Sequence, residues 1–565
     1  MRNPSRAVQF LTALIVILFA LSRRESASAA PAAQATRVMG AVLTRSLDRY
    51  LNATFSDTIT RVAVDDASVT IEGTVRSVTD GVRLADIPMD RVLGDADVFA
   101  TLLDVPVGDD GSFVVTTPRN RLREGRDYDR IVSRWQLVRE TDQETVAISH
   151  ARYADTIGCR SPELPAANPR SKKGLGGWHI VPKLANELEE LGVAGVTINL
   201  MVHSLIALEP GQSTTPFQWQ GRTYHADNRQ LHAMDQRLIA AAESDLMVSV
   251  ILLVGNPAKH SSEVLKTIGH PDANSDGTFA MPNVTSASGV DAYGAIMNLI
   301  AERWSRPDGK FGRVHHWIIH NEVDAGYEWT NAGDKSAIEY MDLYQRSMRL
   351  THMIARQYDP NARAFISLTH HWADAGTPKW YGSKRLLQLL TKFCAAEGDF
   401  AWGLAHHPYP QSLLKPRTWE DDQATSDFDT KKITPKNIEV LDAYMHLPEM
   451  RFGGELRPVH LSENGFNSPD YSEKSLMDQA AGMAFAWKKI LPLESIQMWH
   501  YHNWIDNHGE GKLRIGLRKY PDDPTDPLGK KPIWNLYQAL GTANESRLAD
   551  PYLKTIGITD WSAAP

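Results

Sequence analysis

From about residue 146 onward the chain alternates two patterns, and that alternation leaves few folds open. Short, almost wholly apolar runs are separated by segments whose apolar residues recur every three or four positions. The apolar runs include Val196-Thr197-Ile198-Asn199-Leu200-Met201-Val202, Met247 to Val254, Trp317-Ile318-Ile319, Ala364-Phe365-Ile366-Ser367-Leu368-Thr369, Ala401 to Ala405, Pro458 to Leu461 and Ile496-Gln497-Met498-Trp499. Helical spacing appears in Ile180, Leu184, Leu188 and Leu191, which stop at Gly192, and in Leu231, Met234 and Leu238. It continues in 290–304, in Ile338, Met341, Tyr344, Met348 and Thr351, and in 383–396, 473–489 and 533–540. Strands that are apolar on both faces belong to a parallel sheet covered by helices. Seven such strands are clear, and Val146-Ala147-Ile148-Ser149 is expected to open the series as an eighth. The fold class expected is therefore α/β, a (β/α)8 TIM barrel over 146–565, with a doubly wound open sheet as the alternative. No glycine-rich phosphate loop follows the first strands, so nucleotide binding has no support.

The preceding part reads differently. Residues 31–145 form a polar lead-in, with a short helix expected over 37–51, and then a β-rich domain. Alternating runs such as Ser68-Val69-Thr70-Ile71-Glu72-Gly73-Thr74-Val75 and Ser112-Phe113-Val114-Val115-Thr116 are separated by turn signals such as Asp109-Asp110-Gly111. Residues 1–30 read as a signal peptide: Arg2 and Arg6, an apolar stretch from Ala7 to Leu21, and a small-residue cleavage site at Ala27-Ser28-Ala29. A secreted or periplasmic protein is expected, with no stable membrane insertion after cleavage, because the stretch is short for a span; an uncleaved membrane anchor is the alternative. Cys159 and Cys394, the two cysteines, are read either as one disulfide or as two buried thiols, and no zinc site can be built from them.

Net charge is −8 with acids and bases mixed along the chain, and no basic block points to nucleic acid. Fifteen tryptophans supply flat apolar faces of the kind that stack on sugar rings as well as fill cores.

Two carboxylates stand out because each closes an apolar run. Glu322 ends His316-Trp317-Ile318-Ile319-His320-Asn321-Glu322, and Glu463 ends Pro458-Val459-His460-Leu461-Ser462-Glu463. With the weak first strand counted, they lie at the ends of the fourth and seventh strands, which face each other across a barrel mouth. Paired carboxylates suit glycosidic bond cleavage. A sugar oxygen is a poor leaving group, so an acid still protonated near neutrality must deliver a proton, and its partner must stay ionised. A separation of about 5–5.5 Å gives retention and one of about 6.5–9.5 Å gives inversion.

The pattern resembles the clan A glycoside hydrolases, the retaining (β/α)8-barrel glycosidases. Trp317-Ile318-Ile319-His320-Asn321-Glu322-Val323 resembles their fourth-strand Asn-Glu. Leu461-Ser462-Glu463-Asn464-Gly465 resembles their seventh-strand glutamate motif. The resemblance implies Glu322 as acid/base, Glu463 as nucleophile and Asn321 as a partner of the sugar 2-hydroxyl. It implies that His407 or Tyr409, in His406-His407-Pro408-Tyr409, orients the nucleophile and that Trp499 floors the sugar site, a place in the core being the equal alternative for Trp499. Trp329 and Trp372 are further stacking candidates. It implies a carbohydrate substrate, with β linkages favoured, and no cofactor or metal. Two departures stand out: His320 replaces a small residue, and the arginine common on the first or second strand is missing, with His203 the candidate substitute.

Two other readings compete. One is a non-catalytic carbohydrate-binding barrel. The other is a metal-dependent barrel hydrolase built on the histidines at strand ends, His315-His316, His370-His371, His406-His407, His500 and His502, although the His-x-His that usually opens such barrels is missing. Asp324 and Glu328 are expected to shape the loop after the fourth strand.

Overall fold

The computed structural model describes residues 30–92, 95, 97–260 and 262–564. The expected leader lies outside them apart from Ala30, which begins a helix. Among the described residues no helix is long and apolar enough to cross a membrane.

Eight parallel strands close into a barrel. In chain order they are Lys173–Leu175, Gly195–Met201, Met247–Gly255, His316–Ile319, Arg363–Leu368, Trp402–His406, Val459–Asn464 and Ile496–Tyr501. Each pairs with the next, and Lys173–Leu175 pairs on its other edge with Ile496–Tyr501, in the register Lys173↔Trp499 and Leu175↔Tyr501. The first strand is thus not at 146–149. Thr145–Ala147 instead pairs antiparallel with Ser133–Glu140 in the N-terminal module. Lys173-Gly174-Leu175 escapes an apolar-run criterion because it is only three residues long, with a lysine and a glycine among them. An added Cβ on Gly174 would lie 2.6 Å from the His500 ring, so only glycine lets that ring into the barrel.

Side chains alternate along the strands. Ile251, Ile318, Phe365 and Ala405 face one another inside the barrel. His316, His460 and His500 join them, with ring centroids 5.2 Å and 5.9 Å apart in sequence and Phe365 4.5 Å from His460. Trp317, Leu404, Leu461 and Trp499 point the other way, into the layer between strands and helices. The covering helices fall close to the expected positions: Asn228–Glu243, Ala287–Trp304, Ala337–Arg356, Ser383–Glu397, Glu473–Ile490 and Pro532–Ala539. The first is reduced to a 3-10 turn, Pro182–Leu184, and one helical turn, Glu187–Glu190. A hairpin, Thr214–Trp219 with Arg222–Asp227, and a helix, Ile438–Met445, occupy segments with no clear period.

The N-terminal module has two antiparallel sheets. One carries Thr58–Val64, Ser68–Thr74 and Ser112–Pro118, and the other Val82–Pro88, Leu102–Asp104 and Ser133–Glu140. It continues beyond the expected boundary at 145, since Arg152–Tyr153 and Thr156–Ile157 still pair with its strands. The helix Ala30–Asn52 is longer than expected and lies on Ala337–Arg356 and Ser383–Glu397. Buried polar bonds join the N-terminal part to the barrel: Arg134 donates to Glu397 at 3.1 Å and Tyr50 to the same oxygen at 3.2 Å, while Gln345, on a barrel helix, donates to the other oxygen at 3.1 Å. Cys159 and Cys394 are both free thiols.

Candidate active site

The fourth strand ends in a turn that reorients the chain. His320 (φ 39°) and Glu322 (φ 41°) both adopt the left-handed region, which costs a non-glycine residue on the order of 1–3 kcal/mol. Surrounding bonds hold it there. The His320 ring is bonded to the Leu252 carbonyl at 3.0 Å, Tyr344 donates to the Ile319 carbonyl, and Thr330 donates to the Asn321 carbonyl at 2.9 Å. The Glu322 N–H donates to Ser367 Oγ at 3.0 Å. His320 is therefore a clamp for the turn, and it explains the departure from a small residue at that position. Asp324 ties the same turn to the fifth strand, accepting from the Thr369 N–H at 2.9 Å and from Ser383 at 2.9 Å.

Glu463 comes from the other side of the mouth. The pairing of the seventh and eighth strands shifts register between Leu461 and Asn464, an irregularity that re-aims side chains at barrel rims. Between the two acids stands the segment after the sixth strand. His407 Nδ1 is 2.9 Å from Glu322 Oε1, and its Nε2 is 3.0 Å from Ser462 Oγ. Tyr409 donates its hydroxyl to Glu463 Oε1 at 2.9 Å. Glu322 is 8% exposed and Glu463 5%, so both are withdrawn from bulk water.

The two carboxyls are biased in opposite directions. Burial, with the charge of Glu463, pushes Glu322 above its ordinary value, and His407 offsets only part of that. Burial acts the same way on Glu463 but is outweighed by the positive charges of His502 and His407 and by the Tyr409 bond, so Glu463 lies below its ordinary value. Burial opposes charge on His407, yet Glu463 and Glu322 raise its proton affinity overall. Two carboxyls held apart in this way can serve as acid and base in one reaction.

The structure brings together Glu322, Glu463, Asn321, His407 and Tyr409. The Asn321 amide nitrogen is buried with no protein partner. Trp499 is not with them. It is 1% exposed and lies against Trp487 (5.7 Å) and Tyr537 (6.4 Å), on the helix side of the eighth strand. Strand alternation gives the inward positions to Met498 and His500 instead. Trp372 is likewise core, donating to the Phe428 carbonyl and packed on Tyr444. Trp329 is partly exposed beside Phe279. Asn464 spends its amide on the His500 carbonyl at 3.0 Å, not on Glu463. His203 accepts from the Gly255 N–H, and burial pulls it down to about 4, so it is neutral and no substitute for an arginine. Glu328 bonds Trp380 in the loop wall.

Sequence reasoning missed three members. Ser462 and Ser367 were hidden as small residues inside apolar runs. His502 was seen only as a possible metal ligand, and it is bonded through Nε2 to Glu510 Oε1 at 2.9 Å. The other strand-end histidines are dispersed: His316 and His500 inside the barrel, His370 stacked on His371, and His406 at the Ile433 carbonyl. Among the described residues no three potential ligands are grouped so as to hold a metal ion.

The chain belongs to a family of unknown function, DUF5722, whose model matches residues 165–564 and so spans the whole barrel. No curated protein sequence matches it. Among solved structures it is similar to a family 39 glycoside hydrolase from the gut symbiont Bacteroides cellulosilyticus WH2, at 12% identity and a TM-score of 0.43, over 87% of this chain and 81% of the other. It is similar to the family 1 β-glucosidase from Thermotoga maritima, at 13% identity and a TM-score of 0.38, over 67% and 86%. It is also similar to the exo-β-1,4-mannosidase Op5Man5 from Opitutaceae bacterium strain TAV5, at 15% identity and a TM-score of 0.39, over 69% and 63%. Overlap this loose says nothing about residue roles, and the barrel stands on its own strand pairing.

Proposed function

We propose that the protein is an exported glycoside hydrolase that cleaves a β-linked poly- or oligosaccharide with retention of configuration. The observation that carries this is the placement of Glu322 and Glu463 at the ends of the fourth and seventh barrel strands, both gripped by the loop after the sixth strand, Glu322 by His407 and Glu463 by Tyr409; their opposed bias, one favouring its proton and the other its charge, supports it. In the first step a Glu463 oxygen attacks the anomeric carbon while Tyr409 holds the other oxygen, and Glu322 protonates the departing oxygen. A covalent glycosyl-Glu463 ester and a Glu322 carboxylate result. In the second step Glu322 takes a proton from water, the water oxygen attacks the same carbon, and Glu463 leaves as a carboxylate. His407 follows the charge on Glu322: its bond to Oε1 stabilises the carboxylate that exists between the two steps. The unpartnered Asn321 amide suits a hydrogen bond to the 2-hydroxyl of the bound sugar, where such bonds strengthen towards the transition state. The leader-like residues 1–30 support an extracellular glycan as substrate.

The test is a panel of 4-nitrophenyl glycosides and polysaccharides, with Glu463→Gln as the blank. Turnover by the wild type and none by the variant supports the proposal. No turnover anywhere, or turnover unchanged in the variant, overturns it.

A further inference from the structure

Glu463 is a buried carboxylate whose compensating charges are two imidazoles, those of His502 and His407. A buried anion needs a countercharge held in fixed geometry. His407 serves poorly as a standing charge, because its Nδ1 is bonded to Glu322 and responds to that proton.

His502 is built differently. It follows the eighth strand with the inward parity of Met498 and His500, and its N–H donates to the Asn464 carbonyl at 2.7 Å, one residue past Glu463. Its ring lies against Gly176 and Gly177. A Cβ added to Gly176 would sit 3.3 Å from His502 Cβ, and one added to Gly177 would sit 3.4 Å from Cε1. The ring's far nitrogen is bonded to Glu510, which is 1% exposed. Backbone, glycine shelf and carboxylate together leave the imidazole one orientation.

We propose that His502 and Glu510 form a positioning dyad in which Glu510 fixes the imidazole and His502 supplies the standing positive charge for Glu463. This rests on the assignment of Glu463 as nucleophile. The groups that act on Glu463 are then His407 and Tyr409 from the sixth strand's loop, Glu322 from the fourth and His502 after the eighth, with Glu510 behind His502. Burial opposes charge on His502, but Glu510 and Glu463 overcome it and push the imidazole up to about 9. His407 is thereby freed to track the Glu322 proton without leaving Glu463 uncompensated.

Nitrogen-15 NMR of the histidine-labelled full chain tests the dyad without any substrate. His502 is assigned by the signals missing in His502→Asn, or, if that variant does not fold, by those that move in Glu510→Gln. The imidazole is expected to stay doubly protonated past pH 8. Glu510→Gln and Glu463→Gln should each lower its midpoint by about one pH unit or more. A wild-type midpoint at or below the free-histidine value, or one unmoved by Glu463→Gln, overturns the proposal. On the 4-nitrophenyl glycoside cleaved fastest, His502→Asn should move the acid limb of kcat/KM upward by about one unit, with His502→Lys restoring it; an unmoved limb also overturns it. A high midpoint that responds to Glu463→Gln, with no glycoside cleaved, would defeat the glycosidase assignment and leave the charge pairing standing.

Discussion

The Tyr409 hydroxyl donates to Oε1 of Glu463 across 2.9 Å, linking the loop after the sixth strand to the end of the seventh. A neutral donor on a buried carboxylate stabilises the ionised form and fixes which oxygen remains for attack.

Tyr409→Phe should therefore lower kcat/KM by about 10–100-fold, the worth of a hydrogen bond to a charged group. The pH dependence follows in sign. Glu463 must be ionised, so activity is present above its pKa and lost as pH falls through it. Removing the donor raises that pKa, so the loss begins at higher pH. A pH–rate profile with an unshifted acid limb would show that Tyr409 does not act through Glu463.

Glu322→Gln separates acid catalysis from nucleophilic attack. The first step should slow by about 10²–10⁴-fold for a leaving group that needs a proton. It should slow far less for a 2,4-dinitrophenyl leaving group, which departs unassisted. In the wild type the alkaline limb should lie above the usual carboxylate range, because burial raises Glu322. Equal losses on both kinds of substrate would remove Glu322 from the role of acid.

The histidines inside the barrel set a dependence of stability on pH. Burial pulls His316 and His460 well below the ordinary value and His500 down to about 3. Each contributes its full stability above the unfolded value near 6.5 and loses it as pH falls towards the folded value, by about 1.4 kcal/mol per pH unit. His460→Leu removes one such proton. Denaturant titrations at pH 7.5 and 5 should show the variant losing less stability on acidification than the wild type, by about that slope.

Trp499→Ala should cost about 3–5 kcal/mol of stability through the cavity left beside Trp487 and Tyr537. KM should stay unchanged wherever the variant is folded. A raised KM with unchanged stability would put the indole in the sugar site instead.

Much of this was legible in the sequence because burial and chemistry coincide there. The strand before Glu322 and the one before Glu463 read as near-continuous apolar runs, broken by histidines, which points to a covered parallel sheet, and both acids stand at the strand ends. The first strand was illegible because Gly174 makes room for His500, a contact remote in sequence. Trp499 stays open between core and sugar site for a related reason: an apolar run gives no phase, so inward Met498 and His500 cannot be told from outward Trp499. His502 was undervalued because its partner, Glu510, lies in a polar loop without periodicity, and the clamp role of His320 depends on a carbonyl of the third strand.

The most direct test of the mechanism is proton NMR of the first sugar product released by the wild-type protein, before mutarotation, with Glu463→Gln as the control. Attack by Glu463 followed by water predicts that the released anomer keeps the configuration of the substrate. Release of the opposite anomer would contradict a covalent intermediate on Glu463.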